Sequence, residues 1–581
     1  MLQPNKTDAL EKGLNTMWKL RNESSARADI DRVRRLAEKC STYPLFIQIL
    51  INRGYNDEDI VNMLLSPLNL IKTYTQPLKN SVEAAESIHF YLTNNSRIAV
   101  FCDYDCDGIT SGYVMVKGLR EISQKNGYNS QIVGYWPERD EGYGLNMEFC
   151  RKCIKAKTDL VITVDNGIAQ NREVTFLKNN GIDVIITDHH MLKRGIAAPN
   201  TLIVNPSYFK EERNYLAGVG VAYEVIKRVN DIAHKRINPL QFLDAVTIGT
   251  LTDVMPMSPE NVATISLGLW QINNGHGHRL FDEYKSKCPI TAKDISWTIG
   301  PEINAAGRMG ETWTAVQAFF DEENTSSIIK KLGRLNYKRK KITDEALENI
   351  NYTAVDASDR FIAMNIPDAP KGMIGIIAGK MTDKFPEYPC YAYQEDENGI
   401  CYGSIRCANE EVPLNDLLAN ELEDERILNY AGHNSACVME IEKSKLNEFI
   451  AHFSACFDKV VDIKNKKETD ILFDGIAPLS IATENNMNVF NMIPYAKNQE
   501  PTFVLNNLLV TEHRETQSGG GFLKISDNTA TKKVFLLQPI FKKYLALGCP
   551  NVINIIANIE QDFMKKTPSA TLRIKDIAIA E

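Results

Sequence analysis

The run Asp103-Tyr104-Asp105-Cys106-Asp107-Gly108 sets three carboxylates at alternate positions directly behind Ile98–Cys102, an apolar stretch fit for a buried strand. Carboxylates this close repel one another and raise one another's pKa unless a cation offsets the charge. Oxygen ligands grouped at the edge of a sheet suit hard divalent cations. A solvated acidic turn has the same composition, so this run alone leaves both readings open. The pattern then recurs. Val161-Ile162-Thr163-Val164 runs into Asp165-Asn166-Gly167, and Val184-Ile185-Ile186-Thr187 runs into Asp188-His189-His190. A helix-like segment, Phe242 to Leu251, ends at Thr252-Asp253. Aspartates and a His pair converging on one sheet edge are the ingredients of a two-metal hydrolytic centre. Surface polarity in a turn is the plainer reading of His189 and His190, but an imidazole with an aspartate neighbour is a common metal-ligand pairing.

These residues need a scaffold. From about 80 to 270, short apolar runs alternate with helical stripes. Val82, Ala85, Ile88, His89 and Leu92 form one such stripe, and Gln131 to Tyr135, Leu160 to Val164, Val184 to Thr187 and Leu202 to Val204 are strand-like. That alternation predicts an α/β fold with a doubly wound, mostly parallel sheet, whose ligands gather outside the carboxyl ends of the strands. Residues 1 to about 75 read as helical, with Pro44 marking a helix start. The stretch from 324 to 357 reads as one long helix, carrying the cations Lys338-Arg339-Lys340-Lys341. Such a run is either a solvated helix face or a patch that tracks phosphates. Met373 to Gly379 and Tyr402 to Arg406 read as core strands; Arg406 offers a planar fork for phosphate or a surface ion pair. From about 465, Asp470 to Asp474, Thr502 to Thr511, Gly521 to Ser526, Lys533 to Gln538 and Ala570 to Ile579 read as five strands of an OB-like β-barrel, broken at Gly519-Gly520-Gly521. Tyr495, Phe503, Phe522 and Phe535 are its candidate base-stacking residues, with core packing as the alternative.

Composition bounds the partners. At 581 residues the chain needs several cores, so three or four domains are expected. No apolar run approaches the ~20 residues of a membrane span, and the polar start does not read as a signal peptide, so a cytoplasmic protein is expected. Among the 12 cysteines, Cys150 and Cys153 form one C-x-x-C pair without a second at zinc-ribbon spacing, which predicts reduced thiols rather than a structural zinc. A net charge of -8 argues against broad nonspecific binding to nucleic acid but permits a local basic groove.

The motifs Asp103-Tyr104-Asp105-Cys106-Asp107-Gly108-Ile109-Thr110-Ser111, Val164-Asp165-Asn166-Gly167 and Asp188-His189-His190 resemble the first three motifs of the DHH phosphoesterases. Within that superfamily the chain resembles the RecJ family of single-strand-specific 5′→3′ DNA exonucleases. Trp136-Pro137-Glu138-Arg139 with Glu141-Gly142-Tyr143-Gly144, Ala217 to Ala222, Gly249 to Val254 and Gly300 to Met309 carry the resemblance further, as do Ile493-Pro494-Tyr495-Ala496 and Glu500-Pro501-Thr502-Phe503. Three positions depart from the family pattern. Cys106 stands for the usual alanine and Glu302 for an arginine. Ala431-Gly432-His433 replaces G-G-H, and Asn434-Ser435-Ala436-Cys437 after it lacks the usual glycine.

The resemblance implies two divalent cations, Mn²⁺ or Mg²⁺. Asp103, Asp105, Asp165, His189 and Asp253 would be ligands, Asp165 the bridge, and Asp188 a member of the metal set that orients the His pair. It implies that His190 and Arg308 stabilise the transition state, that Asn304 positions the backbone, and that Arg139, Ser404, Arg406 and His433 bind the 5′ phosphate and DNA. It divides the chain into an N-terminal helical region (1–75), a DHH catalytic domain (76–323), a connecting helix (324–357), a DHH-associated domain (358–464) and an OB-like domain (465–581). The implied activity releases 5′-mononucleotides from single-stranded DNA in repair, recombination or replication, by a monomer working with a helicase and a single-strand-binding protein. An exonuclease for RNA or short oligonucleotides, or a non-catalytic single-strand-binding scaffold, is the alternative.

Overall fold

The computed structural model describes residues 18–21, 30–192, 196–285, 289–349, 360–409, 412–461, 471–491, 493–495, 499–517, 519–561 and 569–580. Strand β1 (Trp18–Leu20) precedes four short helices, α1 (Ile30–Lys39), α2 (Pro44–Asn52), α3 (Asp57–Leu65) and α4 (Pro67–Thr73). Pro44 and Pro67 each occupy the first helical turn, where a missing N–H removes no helical bond. Asn56 caps α3 by accepting the Asp59 N–H at 2.8 Å. Phe46, Ile47, Ile49 and Leu50 of α2 share a core with the C-terminal strands rather than with the sheet that follows.

That sheet is built from β2 (Arg97–Cys102), β3 (Gln131–Tyr135), β4 (Leu160–Val164), β5 (Asp183–Thr187) and β6 (Leu202–Val204). All pairings are parallel, in the order β3-β2-β4-β5-β6. β2 is apolar without alternation because both its faces are covered. Ile98, Val100 and Cys102 pack with α5 (Ser81–Thr93) and α6 (Cys106–Asn126). Ala99 and Phe101 pack on the other face with α7 (Met147–Ala156) and α8 (Asn171–Asn179). Cys150 and Cys153 are buried free thiols of that second core.

Helices α9 (Gly218–Ile232), α10 (Leu243–Thr252) and α11 (Pro259–Asn273) complete the first face. The short α12 (Ala292–Asp294) continues through a π-helical turn, Ile295–Ile299, into α13 (Gly300–Arg308), followed by α14 (Thr312–Phe320). The long helix is α15 (Thr325–Asn349), about 37 Å at 1.5 Å per residue; residues 350–357 of the expected helix lie outside the described residues.

A second sheet follows, ordered β10-β11-β9-β8-β7. It comprises β7 (Ile362–Asn365), β8 (Cys390–Glu395), β9 (Ile400–Arg406), β10 (Asn429–His433) and β11 (Ala436–Glu442), with helices α16 (Ile374–Met381), α17 (Leu414–Glu423) and α18 (Leu446–Val460). Met373 to Gly379, expected as a strand, instead enters α16. Short apolar runs do not separate helix from strand by periodicity. Here Gly375 and Gly379, one helical turn apart, let α16 lie close on β9: a Cβ at Gly375 would stand 2.9 Å from the Arg406 guanidinium.

The C-terminal sheet is formed by β14 (Thr502–Glu515), β15 (Gly521–Ser526), β16 (Thr531–Leu536), β17 (Val552–Gln561) and β18 (Ala570–Ile579), after β12 (Ile471–Phe473), β13 (Gly475–Ile476) and α19 (Glu484–Phe490). Its order is β16-β15-β14-β17-β18, antiparallel, with β13 added in parallel along β14, β16 lying beside β18 and α20 (Gln538–Ala546) between β16 and β17. This is an OB-like arrangement of five strands. Membership differs from expectation. Ile471–Phe473 pairs with β1 outside the barrel, and the unexpected β17 is its fifth strand. In β17, Asn554 and Asn558 interrupt the apolar pattern at helical spacing. Asn558 is nevertheless buried, donating to the carbonyls of Glu500 and Pro501 at 3.0 and 2.8 Å. No helix among the described residues is long and apolar enough to cross a membrane.

Candidate metal centre

β2 and β4 are neighbours from which the chain departs in opposite directions, to β3 and to β5, and the crevice beyond their carboxyl ends is where such sheets place ligands. Asp103 follows β2 directly. Asp105 is the N-cap of α6, its Oδ1 accepting the Asp107 and Gly108 N–H groups at 3.0 and 3.1 Å. Asp165 follows β4, Asp188-His189-His190 follow β5, and Asp253 caps the C-terminus of α10.

These residues meet. One ligand atom from each of Asp103, Asp105 and Asp165 lies within 4.8 Å of the others; the same holds for Asp107, His189 and Asp253, and for Asp165, His189 and His190. His189 Nε2 stands 3.1 Å from Asp165 Oδ1, 3.6 Å from Asp253 Oδ2 and 3.8 Å from Asp107 Oδ2. Asp165 thus belongs to two adjoining sets. Its Oδ1 and the His189 Nε2 are buried without a hydrogen-bond partner. A carboxylate oxygen and an imidazole nitrogen left facing each other in a buried site fit a cation between them.

The electrostatics fit the same occupant. Burial first, and the neighbouring carboxylates next, push Asp103 up to about 8 and Asp253 up to about 7, and raise Asp107 and Asp165. Burial lowers His189 to about 4, which keeps its ring neutral, the form that ligates metals. Acids that hold protons only for want of a counter-charge release them to a divalent cation.

Asp188 differs from the rest. Its Oδ1 accepts the N–H groups of His189 and His190 at 2.7 and 3.1 Å and the His190 ring Nδ1 at 2.8 Å, and its Oδ2 accepts Ile168 N–H at 3.0 Å. Burial opposes its ionisation, yet the hydrogen bond from His190 holds its pKa low. With both oxygens occupied, Asp188 orients the His pair rather than facing the cluster. Burial also opposes the charge on His190, but the bond to Asp188 lifts that ring to about 9.

Asp107, absent from the ligand set implied by resemblance, sits beside it. Its oxygens accept Gly218 and Val219 N–H at 2.7 and 3.0 Å, anchoring the N-terminus of α9. The alternation of 103, 105 and 107 was the signal that could have assigned it. Backbone strain marks the same edge: Asp165 has φ +62° and Val254, beside Asp253, φ +57°, conformations that cost about 1–3 kcal/mol each for non-glycine residues. Gly218 has no room for a side chain, because a Cβ there would come within 2.5 Å of Asp165 Oδ1. Asn304 Oδ1 accepts the Cys106 N–H at 2.9 Å and so ties α13 to the acidic loop.

The basic residues gather at the seam between the two sheets. Arg139 lies over the Tyr104 ring at 4.2 Å, its loop held by Glu138, which accepts Thr312 Oγ1 at 2.7 Å. Arg308 donates to the Gly372 carbonyl at 3.1 Å. Arg406 donates to Ser404 Oγ at 2.5 Å and to the Ile405 carbonyl at 2.8 Å. Burial, then repulsion from Arg139, lowers Arg308 to about 10; burial also lowers Arg406, with Arg139 again opposing its charge. None of the three pairs with a carboxylate among the described residues. His433 ends β10 opposite Ala436, and its side chain lies outside the described residues.

The remaining expected residues scatter. Phe503 is core, and Tyr495 lies under Arg53 at 4.7 Å. Phe522 and Phe535 form a cross-strand pair, centroids 5.1 Å apart, with Lys533 over Phe522 at 4.6 Å and Phe535 41% exposed. Lys338, Lys340 and Lys341 are exposed on α15, whereas Arg339 is half-buried and bonds Asn336 at 3.0 Å. Glu302 accepts the Tyr284 hydroxyl at 2.8 Å. A further cluster that the sequence did not suggest, Glu421, His452 and Cys456, has the Arg426 guanidinium against Glu421 and His452.

A model of the DHH family, N-terminal domain, matches residues 97–250. The chain is 27% identical over 583 residues to the single-stranded-DNA-specific exonuclease RecJ of Bacillus subtilis (strain 168), covering 96% of this chain and 70% of that protein. It is 29% identical over 447 residues to the protein of the same name from Thermus thermophilus, covering 74% of this chain and 62% of that one. The chain therefore spans about two thirds of the length of these curated relatives. Among solved structures, RecJ in complex with Mn²⁺ from Thermus thermophilus shares the fold at a TM-score of 0.77 and 22% identity, over 97% of this chain and 80% of that chain. An exonuclease RecJ bound to manganese gives a TM-score of 0.57 at 26% identity, over 67% of this chain and 98% of that chain.

Proposed function

We propose, from the premise that this chain carries a DHH-family N-terminal domain and is homologous to the RecJ exonucleases over most of its length, that it hydrolyses single-stranded DNA from the 5′ end to 5′-mononucleotides with two divalent cations, Mn²⁺ or Mg²⁺. The observation that carries the reading is Asp165: shared by two ligand sets, with a buried oxygen facing an unpartnered imidazole nitrogen. Asp103, Asp105, Asp165, His189 and Asp253 would hold the ions, with Asp107 beside them. Bound there, the ions would ease deprotonation of water and offset charge on the attacking and leaving oxygens of an in-line displacement.

The chain's own groups do the rest. Asp188 fixes the His pair through three hydrogen bonds and is itself held by a fourth, from the Ile168 N–H. His190, kept cationic by Asp188, and Arg308 offer positive charge to the phosphate as its oxygens gain charge. Asn304 holds the acidic loop in place. Arg139, Ser404 and Arg406, with His433 on β10, the strand beyond β11, bind the 5′ phosphate by charge-assisted hydrogen bonds. An end phosphate held one nucleotide beyond the ions makes the enzyme an exonuclease that removes single residues. The exposed lysines of α15 track the backbone, and Phe522, Phe535 and Lys533 on the OB-like barrel provide stacking and charge for the trailing strand.

In this reading residues 1–75 dock the barrel, 76–323 carry out the chemistry, 324–357 bridge, 358–464 sense the end and 465–581 hold the strand. Such an enzyme serves repair, recombination or replication, where a helicase and a single-strand-binding protein present its substrate. The test is digestion of end-labelled single-stranded DNA, duplex DNA and RNA with Mn²⁺. Release of mononucleotides from the 5′ end of the single-stranded DNA alone supports the reading. Equal digestion of RNA makes it a broader exonuclease, and binding without digestion makes it a scaffold.

A further inference from the structure

Asp253 is the one proposed ligand that stands at the end of a helix, and the chain leaves it through a strained residue. Val254 has φ +57° and is 48% exposed. A β-branched side chain rarely adopts that conformation, and such strain persists only where the surrounding structure holds it. Packing supplies little of that hold, because Val254 and Pro256 both face solvent. Polar contacts supply it instead.

Asn261, buried in the first turn of α11, makes three of them. Its side-chain amide donates to the Pro256 carbonyl and to the Tyr215 carbonyl, each at 2.9 Å, and its backbone N–H donates to Ser258 Oγ at 3.2 Å. The segment at Tyr215 runs directly into Gly218 and Val219, whose N–H groups hold Asp107. One carboxamide therefore ties the turn behind Asp253 to the segment that anchors Asp107. A further contact arrives from the N-terminal region: the Tyr55 hydroxyl, just ahead of α3, donates to the Met257 carbonyl at 2.6 Å. The helix that carries Asn261 is itself shared between two cores. Val262 and Ala263 pack with the N-terminal helices and the C-terminal barrel, whereas Ile265 and Ile272 pack on the catalytic sheet. Met257 lies against both.

We propose that Asn261 and Tyr55 are positioning residues for Asp253: together they hold the turn that aims this carboxylate, so the N-terminal region helps to set the geometry of the metal centre. The proposal deepens the two-metal reading and rests on it. Equilibrium titration of the full chain with Mn²⁺, without substrate, measures the effect independently of turnover. Asn261→Ala should raise the Mn²⁺ Kd about tenfold, the lower end of what is lost when a partner that orients a ligand is removed. Tyr55→Phe removes one neutral hydrogen bond and should raise it about fivefold. In both, saturating Mn²⁺ should restore most of the kcat on single-stranded DNA. Asn230→Ala is the control. Asn230 is also buried and also clasps a loop, bonding the N–H and carbonyl of Ile237 at 3.0 Å each, but it lies near the opposite end of α9 from Gly218. Its loss should lower the unfolding midpoint in EDTA and leave the Mn²⁺ Kd at the wild-type value.

A wild-type Mn²⁺ Kd in Asn261→Ala or in Tyr55→Phe overturns the assignment of that residue while leaving the nuclease reading intact. An equal rise in Asn230→Ala overturns both assignments in favour of a general loosening of the fold. Should Asn261→Ala fail to fold, Tyr55→Phe, which removes a single oxygen from a half-buried ring, decides for the turn. A wild-type chain that binds no Mn²⁺ overturns the metal-centre reading and this proposal together.

Discussion

The acidic edge of the parallel sheet gathers carboxylates with His190 as a counter-charge to Asp188, and the arginine seam beside it gathers cations that pair with no carboxylate among the described residues, but the two are assembled differently. At the acidic edge every side chain comes from one sheet and its flanking helices, and most are braced by backbone N–H groups: Asp105 by the start of α6, Asp107 by the start of α9, Asp188 by Ile168 and the His pair. At the seam, Arg139 and Arg308 come from one lobe and Ser404 and Arg406 from the other, joined by the bond from Arg308 to the Gly372 carbonyl. The first region is rigid by construction; the second holds its geometry only while the lobes stay in contact. Chemistry belongs in the region that cannot shift, and recognition of a chain end can be shared across a seam.

The comparison breaks hardest at Asp165. Asp165→Ala should abolish turnover while sparing DNA binding, and should weaken the Mn²⁺-dependent rise in unfolding temperature, a stabilisation of about 2.7 kcal/mol at a metal concentration of 100 times Kd. Normal digestion by this variant would remove the ligand assignment. Asp188→Asn, which leaves every other proposed metal-site residue in place, should cost about 10–100-fold in metal affinity or activity because the His pair loses its brace; metal titration of the pure variant measures it. Across the seam, Arg406→Met should leave metal-dependent stabilisation intact. It should reduce the preference for 5′-phosphorylated over 5′-hydroxyl ends about tenfold, the worth of a charged hydrogen bond. Competition between the two substrates reads that ratio, and an unchanged ratio would place end recognition elsewhere.

The smallest expected effect is on stability against pH. Asp103 and Asp253 bind protons more tightly folded than unfolded, with values raised to about 8 and about 7. The folded state therefore carries the extra protons, and the contribution of these acids is full below their unfolded values near 4 and is lost as pH rises through 7 to 8. In EDTA the unfolding midpoint should fall across that window. With Mn²⁺ present the fall should flatten, because the ion takes the place of the protons. His190 acts in the same direction but over a higher window, its contribution full below about 6.5 and lost through about 9.

The strands of the parallel sheet were legible because short, mostly apolar runs of three to six residues, separated by amphipathic stripes, leave few other folds. Gln131–Tyr135, Leu160–Val164 and Leu202–Val204 fall where the pattern put them. Met373 to Gly379 was misread because seven apolar and glycine residues carry no period, and its helical state is set by packing on β9. Val552–Gln561 was missed because its two asparagines look exposed in one dimension, whereas Asn558 is buried and bonded to the backbone just before β14 and Asn554 accepts the Asn507 N–H of β14.

What the sequence determined alone was the chemistry on offer: aspartates and histidines at strand ends, where a run of β-formers meets residues that end it. That information is local, since the same residues that close a strand are those left at its carboxyl edge. Which oxygens stay free was decided only in three dimensions. Asp188 and Asp165 are alike in sequence, each an aspartate one residue past a buried strand. One receives hydrogen bonds from Ile168 and its own histidines and is held as an anion, while the other is left bare, strained and raised in pKa beside Gly218 of α9. The difference lies in which backbone N–H groups reach each carboxylate, and those arrive from segments whose positions depend on how the whole sheet is wound.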